Sequence, residues 1–160
     1  MRNLLYIAFS LCTIGAHGQI LVSSTVNHRE DIDAEDLATA NEAGEDLVPN
    51  IESISNFTQL DIYNVALTKN WKVTVSRQDI NWHPSLSLYI KRTGSGSPEG
   101  TGVNPGSPAG YLEITSFEED FIIGQGVVTG IECQIQIQGL SVTLPVDAYS
   151  TDVIYTLYGD

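Results

Sequence analysis

The sequence predicts an all-β fold, an antiparallel sandwich of about seven to eight strands. Three observations predict it. From Ser76 onward apolar and polar residues repeatedly alternate with a period of two, the spacing that sends side chains to opposite faces of a strand. Turn-forming residues punctuate these runs at short intervals. One segment stands apart: residues 94–110 hold six glycines and three prolines in seventeen positions, which reads as a long, mobile surface loop.

The first element follows a different logic. Arg2 precedes the apolar run at residues 4–12, and small residues follow at Ala16 and Gly18. This is the layout of a secretory signal peptide over residues 1–18, cut before Gln19, with the small residues at the minus-three and minus-one positions. The apolar run is about ten residues where a bilayer crossing needs roughly 20, so it reads as a leader and not as an anchor. Cys12 lacks the small residue expected just before a lipidated cysteine, which argues against a lipoprotein.

Cleavage would leave 142 of the 160 residues, with six bases against twenty acids and a formal charge of −14. Such a surface repels nucleic acid and anionic lipid. The length supports one core without covalent staples. Cys133 is then the only cysteine, so no disulfide forms within the mature chain. The expected setting is secreted, extracellular or at the cell surface, with no nucleic-acid partner and no membrane span.

Residues 19–46 read as an N-terminal strand followed by an acidic arm, and residues 47–160 as the sandwich domain. The strand candidate, residues 19–26, places Ile20, Val22 and Val26 on one face with Ser24. Tethered by the arm, it pairs either with its own sheet, favoured by high effective concentration, or with a neighbour's.

The arm carries eight acids between Glu30 and Asp46, no base, and only Ile32 and Leu37 as large apolar residues. Asp31, Asp33, Glu35 and Glu42 fall at positions one, three, five and twelve of a calcium loop. Asp36 stands where the loop needs glycine, and no amphipathic helix flanks it, so this is no EF-hand. Looser calcium binding, by these four residues or by Glu118, Glu119 and Asp120, is weighed against a simply solvated acidic face.

Within the domain the clearest strand is 131–138, with Ile131, Cys133, Ile135 and Ile137 inward and Glu132, Gln134, Gln136 and Gln138 outward. Trp71, Val73 and Val75 alternate with Lys72, Thr74 and Ser76, Leu86, Leu88 and Ile90 with Ser85, Ser87 and Tyr89, and Val153, Tyr155 and Leu157 with Thr156 and Tyr158. Shorter strands are expected at 59–63, 111–117, 121–123 and 140–144, with turns at Asn70, 78–81, 124–126, Gly139 and 145–147.

Few residues suggest chemistry. A hydrolase needs a nucleophile beside a base, and neither His28 nor His83 sits near a nucleophile motif; both read as surface or turn histidines. Cys133, on an apolar strand face, reads as a small hydrophobe. Tyr63, Trp82, Tyr89 and Tyr111 are candidates for a sugar-stacking platform, set against ordinary strand packing. Asn56, Phe57 and Thr58 form a glycosylation sequon.

The run Pro145, Val146, Asp147, Ala148, Tyr149, Ser150, Thr151, Asp152, Val153, Ile154, Tyr155, Thr156, Leu157 resembles the closing strand of many secreted bacterial immunoglobulin-like domains, including pilin subunits of the spore-coat-U type. The resemblance covers these thirteen residues and implies an immunoglobulin-like antiparallel β-sandwich in a cell-surface setting. The chain departs from such pilins in lacking their cysteine pair.

The expected function is a non-enzymatic secreted or cell-surface protein of structural or adhesion type that self-assembles by strand exchange or edge pairing. The alternative is an extracellular module that binds carbohydrate, such as a surface glycan, or calcium.

Overall fold

The computed structural model describes residues 50–100 and 110–159 with their side chains, and the backbone of three earlier strands. Those are β1 (Asn3–Thr13), β2 (Gln19–Ser24) and β3 (Asp31–Ile32). The longer later strands are β5 (Thr58–Tyr63), β6 (Asn70–Asn81), β7 (Ser87–Arg92), β10 (Glu119–Gln125), β11 (Val128–Gln138) and β12 (Ala148–Gly159). Short ones are β4 (Asn50–Glu52), β8 (Ser97–Pro98) and β9 (Leu112–Glu113).

They form two sheets that are not closed into a barrel, the β-sandwich that the alternation predicts. One runs β10-β6-β12-β1-β3, and the other β2-β5-β11-β7-β9, with β4 and β8 also on β11. Among the described pairings all are antiparallel except β1 with β12. The segment after the expected cleavage point lies on its own sheet, β2 on β5.

Alternation decides what lies between the sheets. Trp71, Val73 and Val75 of β6 and Val153, Tyr155 and Leu157 of β12 face Leu60 and Ile62 of β5, Leu88 and Ile90 of β7, and the four inward residues of β11; all are buried. Phe121 and Ile122 are consecutive yet both buried, because the ladder with β6 bulges between Asp120 and Ile122. Trp71 needs two special neighbours. Its indole Nε1 donates to the Gly126 carbonyl at 2.7 Å, and its ring occupies the space a Cβ on Gly124 would take, 2.3 Å from the ideal position. At Gly139 φ is +88° and a Cβ would sit 2.0 Å from the Ser85 carbonyl oxygen, so this turn admits glycine alone.

β12 begins at a tyrosine corner. The Tyr149 hydroxyl donates to the Pro145 carbonyl at 2.5 Å, four residues back, and pins the loop to the strand it launches.

Several expectations fail for local reasons. Residues 140–144 are a turn, because the Ser141 hydroxyl accepts from the Thr143 amide at 3.2 Å and its carbonyl from the Leu144 amide at 3.0 Å. The strand expected over 111–117 shrinks to β9, since Thr115 Oγ1 captures the Phe117 amide at 3.1 Å. The turn expected at 78–81 is strand: β12 pairs with β6 as far as Asn81, and Thr151 Oγ1 donates to the Gln78 carbonyl at 3.0 Å. The bend comes later, where the Leu86 amide bonds the His83 carbonyl at 2.9 Å. Part of the glycine-rich loop is held down, with Ser97 and Pro98 paired to Thr129 and Val128; residues 101–109 lie outside the described residues.

Replacing Ile135, fully buried opposite Ile90, with Ala is expected to lower unfolding free energy by about 2–5 kcal/mol, read from a denaturant titration. A titration matching the parent protein would show that the inward face of β11 is assigned wrongly.

Candidate functional site

A hydrogen-bonded group of polar side chains lies on the outer face of the seven-stranded sheet. On the seven-stranded sheet, β11 turns Gln134, Gln136 and Gln138 outward, and β4 lies alongside with Glu52 opposite Gln136. The Gln136 amide donates to Glu52 Oε1 at 2.9 Å and the Gln134 amide to Glu52 Oε2 at 3.3 Å. Gln138 donates to Gln136 Oε1 at 2.7 Å. This ladder buries Gln136 although it faces out, which alternation alone does not anticipate. On the other side of β11, Tyr89 is opposite Gln136 and Lys91 opposite Gln134, while Glu113 of β9 is opposite Tyr89.

Tyr111 completes this face. The Lys91 ammonium lies 4.4 Å from its ring centroid. Its phenol is pushed up to about 12, first by burial and then by the nearby Glu52 carboxylate. Glu52, Tyr89, Lys91, Tyr111, Gln134 and Gln136 thus make one flat patch of amides, carboxylate, cation and half-buried rings.

The four aromatic residues named as a sugar platform do not converge. Tyr89 and Tyr111 share the patch just described, Tyr63 lies at the far end of β5, and Trp82 follows β6 at the end of the sandwich. The Trp82 ring is covered by Arg77, whose guanidinium carbon is 5.3 Å from the centroid, and its Nε1 donates to the Leu86 carbonyl at 2.8 Å. Of the patch residues, the glutamines carried a legible signal, three amides at every second position. Glu52 carried none, since only the pairing of β4 with β11 brings it there.

The second acidic group is engaged in other contacts. Glu118 Oε2 accepts from Thr74 Oγ1 at 3.1 Å and from the Tyr158 hydroxyl at 2.7 Å. Asp120 pairs with Lys72 at 2.8 Å. Of the calcium residues on the arm, Asp31 belongs to β3 by its backbone, while Asp33, Glu35 and Glu42 lie outside the described residues. Among the described residues no three His, Cys, Asp or Glu side chains gather into a metal-holding group.

His83 is built into a turn, its Nδ1 accepting from the Ser85 amide at 3.2 Å and its ring edge-on to Tyr149 at 5.7 Å. His28 lies outside the described residues. Asn56 of the sequon is exposed, whereas Phe57 and Thr58 are buried. Among the described residues no helix is long and apolar enough to cross a membrane. The chain matches no protein-family model and no curated protein.

Two inner-face groups carry the largest proton shifts. Burial pushes the Cys133 thiol up to about 12, the nearby Arg92 partly offsetting it, and burial holds Tyr155 well above the ordinary phenol range. Both are acids that the fold keeps protonated, so the native state binds more protons than the unfolded chain above about pH 9. Stability is therefore fully present below that pH and is lost as pH climbs toward 12. The expected outcome is a denaturant midpoint that is level from neutrality to about pH 9 and falls above it, with Cys133 inert to thiol reagents until the chain unfolds. Rapid labelling of the folded protein at neutral pH would refute the burial argument.

Proposed function

We propose that this chain is a secreted, non-enzymatic protein of the cell surface or extracellular space, structural or adhesive in role, that associates with itself through edge strands. The observation that carries this reading is β2. The segment just after the expected cleavage point is a six-residue edge strand on β5, joined to the rest of the domain only through the acidic arm. An edge strand on a long tether exchanges with little strain, because a neighbour's segment can make the same ladder.

Deleting residues 19–26 is expected to leave a folded but less stable monomer, and the intact mature chain to form multimers as concentration rises, both followed by light scattering. A mature chain that stays monomeric at high concentration, with and without calcium, overturns the reading.

A second reading rests on the flat patch beside β11. Its amides and carboxylate can exchange hydrogen bonds with sugar hydroxyls, and the Tyr89 ring offers an apolar face, so we propose neutral surface glycan as its partner. Tyr89→Ala is expected to weaken retention on immobilised polysaccharide at least about tenfold, the loss of one good stacking contact. Equal retention of the two proteins removes this alternative.

A further inference from the structure

Strand β12 has few of the features that guard an exposed edge, and its ladder with β6 shifts register only near its start, between Ser150 and Thr151. Asp152 is its only charged residue, and from Ala148 to Tyr158 it has no lysine, proline or glycine. The opposite edge of the same sheet is β10, which carries Glu119, Asp120, Gly124 and a bulge between Asp120 and Ile122. Those are the usual means by which an edge resists pairing. A thinly guarded strand of this length is built to be paired on both sides.

Its second partner is β1. The two run parallel over ten residues, from Leu4 opposite Ala148 to Thr13 opposite Leu157, the one parallel pairing among the described strands. Leu5, Ile7, Phe9 and Leu11 stand in register with Tyr149, Thr151, Val153 and Tyr155, and those four β12 residues are all buried. β1 also lies against β2 of the facing sheet, so it takes up one strand's width of the sandwich.

All of β1 falls within the expected leader. We infer that this leader has a second role: in the uncleaved chain it completes the five-stranded sheet and blocks the β12 edge, and cleavage before Gln19 opens that edge to a second copy of this chain. The inference rests on the secretion and self-association proposed above. The mature chain cannot easily reseal itself. Its acidic arm offers only Ile32 and Leu37 as large apolar residues, and residues 19–24 already occupy the edge of β5.

The test compares chains 1–160 and 19–160, both produced without export, by amide hydrogen exchange over β12 and by light scattering. The β12 amides that do not bond β6 are expected to exchange on the order of a hundredfold slower in 1–160 than in dilute 19–160. Chain 1–160 is expected to remain monomeric where 19–160 associates. A synthetic peptide of residues 3–13 added to 19–160 is expected to restore the slow exchange and disperse the multimers, while the same peptide carrying I7D and F9D does neither. Equal exchange in the two chains, with no response to the peptide, overturns the inference. If 19–160 stays monomeric with a fast-exchanging, peptide-responsive β12, the leader's blocking role stands and self-association falls. If both chains assemble alike, self-association stands and the blocking role falls.

Discussion

The fold depends on one constraint, that β11 keeps its two faces apart over eleven residues. It pairs with β5 and β4 on one side and with β7 and β8 on the other, so it holds together most of its sheet. Ile131, Cys133, Ile135 and Ile137 seal the core while the glutamines between them build the outer ladder. A one-residue slip would exchange these sets, placing four amides and carboxylates among the aliphatic side chains and four apolar groups in water. Ser53 reinforces the register locally. Its amide donates to the Ile135 carbonyl and its hydroxyl accepts from the Ile135 amide, each at 3.0 Å.

The outer surfaces follow a second rule, that charge is placed against rings and hydroxyls. Lys72, Arg77 and Lys91 each lie over an aromatic ring, on Tyr158, Trp82 and Tyr111. Lys72 and Arg77 also contact carboxylates, Asp120 and Asp79. In a chain with twenty acids and seven bases, these cations serve the packing of exposed rings as much as charge balance. The exposed pairs contribute little stability one by one.

The long strands were legible in the sequence because period two survives wherever one face is buried. The boundaries set by a hydroxyl were not. Ser141 and Thr115 turn the backbone by bonding an amide two residues on, and an apolar count over 140–144 or 111–117 is blind to that. The stretch 78–81 misled in the opposite sense, since its polar residues suggest a turn while β12, distant in sequence, extends the ladder across them. The patch beside β11 was half legible. Three glutamines at alternate positions announce an ordered face, but Glu52 and Tyr111 join it only through β4 and β9, elements too short to carry a periodic signal.

The place of β12 in the ladder also bears on when the molecule can fold. β6 lies between β10 and β12, and its register with β12 joins Val73 to Leu157 and Thr74 to Thr156, positions about eighty residues apart. Contacts of that separation make folding slow, because the chain must close a large loop before the contact stabilises anything. Until β12 has been synthesised, β6 lacks one of its two neighbours and the core lacks Val153, Tyr155 and Leu157. The core therefore closes only when the last strand of the chain has been made, so the order of synthesis places the decisive contact at the end.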